Sequence, residues 1–314
     1  MSAAGIGVVV LAYGNGGEYL SVLASLSAQG VANEQVVVVH NPSEPGQRLA
    51  SVPAGCELIE ATHNLGYAAG MNLGIRHQLR GDAELILLLT HDASLRPGAL
   101  GRLLEAAAEK PRYGALGPSL RFTGTDTAFS FGGRIGAGGA LSHIRVRPGA
   151  APIAPCDWID GGTMLLRAAA LADVGGFDER FWGYCEDADL CLRIQGHGFG
   201  VGVVVEAEAD QAPGGAKRPG PWAYLLTRNG LAVARRARGR RGLWATLARA
   251  AGLVLSELAR TVARLTHLRP GDPAATWPVA VGAGRGAIDY LRRDWGPPPP
   301  LPGGGDMKNL EPGG

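Results

Sequence analysis

The chain has 314 residues, enough for one large α/β domain with an appendage or for two modest domains. Hydrophobic residues make up 46% of it and charged residues 18%, which is typical of a globular chain that buries a sizeable core. The formal net charge of +2 is too small for the chain as a whole to bind nucleic acid by electrostatics.

The cysteines and the apolar runs indicate where in the cell the protein is located. Four cysteines (Cys56, Cys156, Cys185 and Cys191) share no CxxC spacing, and we expect them to be reduced in a cytoplasmic protein. The N-terminal segment lacks the basic region of a signal peptide. The longest apolar candidate, 243–265, is interrupted by charged residues and falls short of the roughly 18 uncharged residues of a membrane-spanning helix.

Strand-like and helix-like segments alternate over the first third of the chain. Strands are predicted at 6–13, 35–41, 56–61 and 83–92, and helices at 18–29 and 66–79. This alternation favours a Rossmann-like, doubly wound and mostly parallel sheet flanked by helices. Ligands of such sheets bind beyond the carboxyl ends of the strands, so 12–14, 40–41 and 90–92 are expected to face a ligand.

The remaining elements follow in chain order. A helix is predicted at 97–110, and glycine-rich short strands between 114 and 155 indicate an inserted hairpin or an irregular loop. A strand and a short helix then lead into 177–198, and the chain becomes helical after a glycine-rich bend at 210–220. A last short helix is predicted at 286–296.

We therefore divide the chain into an α/β domain (1–220), a C-terminal helical region (221–296) and a Pro/Gly-rich tail (297–314) that we predict to be disordered. The helical region carries an amphipathic stripe that could bury against the α/β domain or against a second copy of the chain in a homodimer. Its members are Leu243, Leu247, Ala251, Val254, Leu258, Val262 and Leu265.

Asp92 ends a buried strand in "LLLTHDAS". A carboxylate there suits a hard divalent cation that in turn neutralises a diphosphate. A turn or N-cap role ahead of Pro97 is the other interpretation. His91 is adjacent, but strand alternation turns its side chain the other way.

The segment "THNLGYAAGMNLGI" is rich in glycine at a predicted helix start. Asn64, Gly66 and Gly70 let the backbone turn tightly and approach a ligand at the helix N-terminus, where free N–H groups favour phosphate. The segment is not a dinucleotide GxGxxG motif, and it lacks a Walker lysine. Helix packing explains Gly70 and Gly74 equally well.

The stretch "FDERFWGYCEDADLCLRIQGHG" crowds acids between aromatic residues and a helical leucine pattern. Glu186 and Asp189 share a helix face, and Asp187 lies about 100° away from Glu186. Acids in a first turn are favoured by the helix dipole, which is one explanation of the cluster. The aromatic residues would wall a pocket and raise the pKa of a carboxylate, and the upstream pair Gly161–Gly162 suits close substrate approach. A half-buried carboxylate of this kind serves as a base toward a hydroxyl.

Five segments together carry a family resemblance. They are "VVVLAYGNGGEYLSVLASLSAQ", "NLGYAAGMNLGI", "LLLTHDASLRPGAL", "WIDGGTMLLRAAALADVGGFDERFWGYCEDADLCLRIQGHG" and "YLLTRNGL". In this order, from about Val8 to Arg235, they resemble the family-two inverting glycosyltransferases with the GT-A fold, particularly the bacterial rhamnosyltransferase-like branch. The resemblance implies that 1–220 binds a nucleoside-diphosphate sugar, with dTDP- or UDP-sugars favoured. It also implies transfer of the sugar, with inversion, to an acceptor hydroxyl, with Mg²⁺ or Mn²⁺ at the diphosphate.

The resemblance also assigns roles to residues. It makes Asp187 the catalytic base, with Glu186 beside it, and it places the metal at Asp92, where the family has an Asp-x-Asp element. Asp210 or Gln211 stands where the family has a metal-binding His. The implied acceptor and sugar pocket consists of Trp158, Asp160, Gly161, Gly162, Trp182 and Tyr184. The implied donor-binding residues are Ala12, Tyr13, Glu18, His40, Asn41, Asn64, Gly66, Gly70, Asn72, His91 and Arg228, the last paired with Asn229 in the family's "RN" motif.

Three positions depart from the family pattern. Ala12-Tyr13-Gly14 replaces Thr-Tyr-Asn, His40 replaces an Asp that reads the nucleobase, and the metal-binding His is missing. These departures favour an alternative, a catalytically degraded relative that binds a sugar nucleotide or a glycan without turnover. The intact "CEDADL" argues against that alternative, because a binding module does not need the base.

The acceptor and the location are open at this point. A composition rich in glycine, alanine and arginine hints at a high-GC bacterium, where glycans, lipid-linked glycans and secondary metabolites are candidate acceptors. Eight cations within 217–241, with no acid among them, suit anionic lipid at the inner face of the plasma membrane. A solvated helix face or a phosphate-binding rim explains them as well.

Overall fold

The computed structural model describes residues 5–149, 151–211, 219–265 and 277–302. The strands are β1 Ile6–Tyr13, β2 Val36–Asn41, β3 Glu57–Glu60, β4 Leu85–Thr90, β5 Ala93–Leu95, β6 Tyr113–Phe122, β7 Ala128–Ser130, β8 Gly133–Ile135, β9 Leu141–His143, β10 Ile153–Pro155, β11 Thr163–Arg167 and β12 Gly200–Gln211. The helices are α1 Glu18–Ser27, α2 Gly66–Gln78, α3 Ala99–Glu109, α4 Ala168–Val174, α5 Glu186–Gly196, α6 Pro219–Leu265 and α7 Trp277–Arg292.

The central sheet runs in the order β10-β12-β6-β11-β4-β1-β2-β3, with β5 paired to β12 and β7 to β6. Its first half, β4-β1-β2-β3, is parallel, as the alternation of strands and helices predicts. Strand β11 enters antiparallel between β4 and β6, so the second half is mixed. Helices cover both faces, which confirms an α/β fold with a C-terminal helical extension.

Strand β1 shows why the first strands are continuous apolar runs. Val8 and Val10 pack into one core cluster with residues of α1 and α3, whereas Val9 and Leu11 pack into the other with residues of α2 and α5. A strand buried on both faces needs apolar residues at every position rather than at alternate ones. The sequence prediction of buried parallel strands is confirmed for β1, β2 and β4.

The segment 114–155, predicted as an inserted hairpin or a loop, contains a core strand. β6 lies in the middle of the sheet between β12 and β11. The chain then forms β7 and the separate hairpin β8–β9, which an isolated bridge joins to Trp158. This hairpin becomes a wall of the candidate site described below.

The C-terminal helices pack closely on each other. α6 breaks at Gly239, whose φ of 60° and ψ of −147° are not helical. An added Cβ on Gly282 of α7 would lie 2.1 Å from the carbonyl oxygen of Gly220, so the two backbones touch there. α7 begins nine residues before the helix that was predicted at 286–296. Within the described residues, no helix is long and apolar enough to cross a membrane.

The predicted stripe on α6 is offset by one residue. Ala250, Glu257 and Thr261 are buried, whereas Ala251 and Val262 of the predicted stripe are exposed. The packed face of α6 is therefore rotated relative to the prediction, because α6 packs against both α5 and α7. The predicted disorder of 297–314 falls mostly on residues 303–314, which lie outside the described residues.

Candidate active site

The polar ends of the parallel strands meet at one edge of the sheet, as expected. The register pairs Tyr13 with Asn41 and Leu11 with Thr90, so β1 and β2 end together and β4 ends two residues earlier. Ala12 and Tyr13 are buried there. By contrast, the side chain of Glu18 is exposed at the start of α1.

Two buried histidines lie at this edge. His40 Nε2 donates to the carbonyl oxygen of Gly14 at 2.8 Å, and Nδ1 is the other hydrogen-bonding atom of the ring. That Nδ1 is buried without a partner in the described part of the chain. His91 is also buried with an unpartnered Nδ1, and its ring lies 6.1 Å from that of Tyr13. Both histidines therefore retain unused hydrogen-bonding capacity at the predicted donor side.

Asn41 and Asn64 shape the loop that leads into α2. Asn41 Oδ1 accepts from the N–H of Leu65 at 2.8 Å, and Asn41 Nδ2 donates to Asn64 Oδ1 at 3.1 Å. Asn64 Oδ1 also accepts from the N–H of Gly66 at 2.9 Å. The two side-chain amides thus fix the backbone of the loop at Leu65 and Gly66, which the sequence spacing of Asn41 and Asn64 does not reveal.

The N-terminus of α2 is closed by the aromatic loop rather than open to phosphate. The carbonyl oxygen of Trp182 accepts from the N–H of Tyr67 at 2.6 Å, and Trp182 packs against Tyr224 and Leu225. Gly66 has a φ of 77°, and an added Cβ there would lie 2.3 Å from that carbonyl oxygen. Trp182 therefore links the loop before α5 to the start of α2 and to α6. It does not line the cavity that contains Asp187.

Two other residues predicted to bind the donor, Gly70 and Asn72, make packing contacts in the fold. An added Cβ on Gly70 would lie 2.8 Å from Leu11 Cδ1, so this glycine lets α2 approach β1. Asn72 Nδ2 donates to the carbonyl oxygen of Phe177 at 2.8 Å, and Asn72 Oδ1 accepts from the N–H of Phe177 at 2.8 Å. Asn72 thus holds the segment before α5 onto α2.

Arg228, predicted to contact the diphosphate, lies within a network of hydrogen bonds to the protein backbone. It is fully buried, and it donates to the carbonyl oxygens of Gly296 at 2.8 Å and Phe181 at 3.2 Å. Its neighbour Asn229 donates to the carbonyl oxygens of Phe181, Gly183 and Tyr184 at 2.8–2.9 Å. Trp182, Tyr184 and Cys185 have positive φ, so this loop is irregular and its buried carbonyl groups need donors from elsewhere. The "RN" pair supplies them.

A cavity of about 340 Å³ brings the predicted pocket and the predicted base together. It is lined by Trp158, Asp160, Gly161, Gly162, Tyr184, Glu186 and Asp187, all predicted from sequence. Thr90 and Gln211 line it from the sheet. The lining residues that are not predicted from the sequence include Phe129, Leu141 and His143 from the β7–β9 segment and Trp222 and Leu226 from α6. Nothing in the local pattern of either segment indicates that they meet at one cavity.

Asp187 lies at the start of α5 and is partly exposed to this cavity. Its Oδ2 accepts from the N–H of Gly161 at 3.2 Å, and its Oδ1 from the N–H of Ala188 at 2.7 Å. Burial, and then the charge of Asp160, raise the pKa of Asp187 to about 6, against the two N–H bonds that lower it. The carboxylate is therefore largely ionised near neutral pH and is more basic than an ordinary aspartate.

The other two acids of the cluster differ from Asp187. Glu186 is buried with an unpartnered Oε2, and burial followed by the charge of Asp187 raises its pKa well above the ordinary value. Asp189 faces away and forms ion pairs with Arg193 at 2.8 Å and Arg236 at 2.6 Å. Of the three, Asp187 alone combines access to the cavity with an ionised carboxylate.

Asp160 and His143 form a second polar pair in the cavity. The two groups are 3.4 Å apart, and the His143 ring packs edge-on against Trp158 with centroids 4.9 Å apart. Burial raises the pKa of Asp160 to about 6, against a hydrogen bond from Ser130 that lowers it. Burial lowers the pKa of His143. The pair sits near Asp187, so its charge state affects the base.

At the sheet end of the cavity, Asp92 meets Gln211. Gln211 Nε2 donates to Asp92 Oδ2 at 2.9 Å, and both Asp92 Oδ1 and Gln211 Oε1 are buried without a partner. Asp210, the other residue predicted to hold the metal, faces the opposite side and pairs with Arg96 at 2.8 Å. No group of three His, Cys, Asp or Glu side chains within the described residues could hold a metal ion.

The oxygens of Asp92 and Gln211 nevertheless fit Mg²⁺ or Mn²⁺. Mg²⁺ is commonly held by one or two carboxylates together with waters and phosphate oxygens of a substrate, rather than by a complete protein cage. The unpartnered oxygens of Asp92 and Gln211 would be the protein ligands of such a site.

The fold and this pocket define a glycosyltransferase of the GT-A class. A family model described as Glycosyltransferase like family 2 matches residues 3–242, and the chain belongs to that family. It is a nucleotide-sugar-dependent glycosyltransferase similar to the rhamnosyltransferases.

Particular relatives agree with this assignment. The chain is 31% identical over 215 residues to the N-acetylglucosaminyl-diphospho-decaprenol L-rhamnosyltransferase of Mycobacterium tuberculosis, which covers 60% of this chain and 69% of that protein. Its fold is similar to that of the mannosyltransferase PcManGT from Pyrobaculum calidifontis in complex with GDP-Man and Mn²⁺, with a TM-score of 0.51, 14% identity and coverage of 91% and 87%. It is also similar to S. aureus TarS 1–349 in complex with UDP-GlcNAc, with a TM-score of 0.50, 13% identity and coverage of 91% and 92%. These likenesses confirm the predicted GT-A fold.

Proposed function

We propose that this chain transfers a sugar, with inversion, from a dTDP- or UDP-sugar to a hydroxyl group of a lipid-linked glycan. Asp187 is the general base of this proposal, and its raised pKa in a cavity shared with Gln211 is the observation that carries it. The mycobacterial relative, which is named for transfer of L-rhamnose to a lipid-linked N-acetylglucosamine, supports an acceptor of that class.

In this proposal the acceptor hydroxyl enters between Trp158 and Tyr184 and donates its proton to Asp187. The acceptor oxygen then forms a bond to the anomeric carbon on one face, while the bond from that carbon to the diphosphate oxygen breaks on the other. The diphosphate leaves with the electron pair, and the configuration inverts. A base with a pKa near the working pH combines a large ionised fraction with strong proton affinity.

Glu186 lies beside the proposed base. Burial, and then the charge of Asp187, raise the pKa of Glu186 well above its ordinary value, because two adjacent buried carboxylates resist ionising together. Of the two, Asp187 is therefore the group that we propose takes the proton.

A divalent cation would be held by Asp92 and Gln211. When bound, Mg²⁺ or Mn²⁺ neutralises charge on the diphosphate. His40 and His91 lie at the same edge of the sheet and are proposed to contact the nucleotide through their free ring nitrogens. The four cysteines are free thiols, in line with the cytoplasmic location that we propose.

The test is a transfer assay on the full chain. Uridine, thymidine, guanosine and adenosine diphosphate sugars are each incubated with a prenyl-diphosphate N-acetylglucosamine acceptor, with and without Mn²⁺. Release of nucleoside diphosphate and the mass of the glycolipid product are both measured. We expect product with a uridine or thymidine donor. Donor binding by calorimetry without any diphosphate release would contradict the proposal and leave a sugar-nucleotide-binding protein without turnover.

A further inference from the structure

A second cavity, of about 590 Å³, lies where α5, α6 and α7 meet. Asp189 of α5 lines it, and Asp189 is two residues, or about 200° around the helix, from Asp187. The two cavities therefore lie on different faces of α5. Four arginines line the second cavity, namely Arg180, Arg235, Arg236 and Arg293.

The charges of this arginine cavity do not balance. Asp178 pairs with Arg180 at 2.6 Å, and Asp189 pairs with Arg236 at 2.6 Å. Arg235 and Arg293 have no carboxylate partner among the described residues, which leaves a surplus of two positive charges at the cavity. A phosphate group carries one to two negative charges and is well matched by guanidinium groups.

The floor of the cavity is aromatic and fixed. The Trp295 ring lies under the guanidinium groups of Arg180 at 5.4 Å and Arg228 at 5.5 Å, and it meets the Tyr290 ring edge-on. Stacked guanidinium groups lose less freedom on binding an anion, because the ring already restricts them. The aromatic floor with Arg180 is thus the fixed part of the cavity, and Arg235 and Arg293 are exposed at its rim.

Exposed apolar side chains surround this cavity. Leu291 lines it and is 64% exposed, and Ile288 stands one turn earlier on α7. Trp244, 63% exposed, follows the cavity residue Leu243 on α6. Leu255 continues the same exposed face of α6, since 11 residues bring the helix within about 20° of its starting direction. A soluble phosphate ligand would need no such rim, whereas exposed Trp and Leu beside Arg are typical of a surface that lies in a membrane interface.

We propose that the α6–α7 surface binds an anionic phospholipid membrane, with a headgroup phosphate in the arginine cavity and the rim side chains among the acyl chains. This inference does not depend on the transfer chemistry. It also suits that chemistry, because Trp222 at the catalytic cavity and Arg235 at the arginine cavity are 13 residues apart on α6, or about 20 Å.

The test is flotation of the full chain with phosphatidylcholine vesicles, with and without phosphatidylglycerol. The variant Arg235→Gln/Arg293→Gln removes the two unpaired charges, and Arg80→Gln/Arg102→Gln removes two exposed charges from α2's end and α3 as a matched control. Each cation near a membrane contributes about 1 kcal/mol, so the first variant should bind about 30-fold more weakly and the control should match the parent. Trp244→Ser/Leu291→Ser should weaken binding at fixed charge. If the double arginine variant unfolds, Arg235→Gln alone should give about a fivefold loss.

Three outcomes would overturn the inference. The first is equal loss in the cavity variant and the Arg80/Arg102 control, which would indicate non-specific attraction. The second is binding of inorganic phosphate or glycerol phosphate by calorimetry without any vesicle binding, which would indicate a soluble ligand. The third is dimerisation in light scattering that Leu291→Ser abolishes, again without vesicle binding, which would indicate a second copy of the chain.

Discussion

Replacing Asp187 with Asn removes the proposed proton acceptor and keeps its shape. One amide oxygen can still accept from the N–H of Gly161 or Ala188, so the start of α5 should stay in place. The donor site at Asp92 and Gln211 is left untouched. The change therefore tests chemistry and not folding.

The expected size of the effect follows from the pKa of Asp187, which is raised to about 6. At about pH 7 some nine-tenths of the parent chain carries the ionised base and at about pH 5 one-tenth, so the rate should fall roughly tenfold between them. An ordinary aspartate, with a pKa of about 3.9, would stay ionised over that range. A general base contributes roughly 10²–10⁴-fold, so Asp187→Asn should lower kcat by that factor, or about 3–5 kcal/mol.

The assay measures initial transfer rates between about pH 5 and pH 8 together with the donor Kd by calorimetry. Asp126→Asn removes a fully exposed carboxylate and serves as the control. We expect Asp187→Asn to lose turnover and the acidic limb while keeping the donor Kd. A kcat within tenfold of the parent, with the same acidic limb, would refute the assignment of Asp187 as base.

Four further substitutions probe the surroundings of the base. Asp160→Asn removes a charge that raises the pKa of Asp187, so the acidic limb of kcat/KM should move to lower pH; an unmoved limb would speak against their coupling. Gln211→Ala should raise the Mn²⁺ concentration needed for half-maximal rate, whereas Asp210→Ala should leave it unchanged; the reverse result would restore Asp210 as the ligand. Asn229→Ala removes a donor from three carbonyl groups, of which that of Phe181 keeps Arg228 as a donor. It should cost about 1–3 kcal/mol of unfolding free energy, seen as a lower thermal midpoint, and an unaltered midpoint would contradict that role.

The sequence predicts most of the parallel half of the fold, because strands buried on both faces give long apolar runs. It hides β6, whose sequence "YGALGPSLRF" contains two glycines and a proline. Those glycines are required by packing, since an added Cβ on Gly114 would lie 2.8 Å from Ile194 and one on Gly117 would lie 3.2 Å from Ile159. A close approach of helix and loop thus removes the β-branched residues by which a strand is usually recognised.

Local sequence pattern points to the acids and glycines that line the cavity, whereas contacts between distant segments leave no local pattern. The sequence does not show which residues of β12 point to which face of the sheet. The register of β12 shifts between Val204 and Glu208, and this bulge reverses the alternation of side chains beyond it. That is why Asp210 and Gln211 could not be told apart. Arg228 illustrates the other limit, since an arginine that donates to carbonyl groups has the same sequence signature as one that binds phosphate.

The hydrogen bonds from Arg228 and Asn229 determine where this protein can be recombined with its relatives. A chimaera joined at the 220/221 boundary would take these two donors from one parent and the Phe181–Tyr184 loop from the other. If the two parents differ here, the buried carbonyl groups of the loop would lose their hydrogen-bond donors. The entrance to the catalytic cavity would then be distorted. Gly239, where α6 already breaks, is the safer crossover point, because everything before it travels with the loop that it supports.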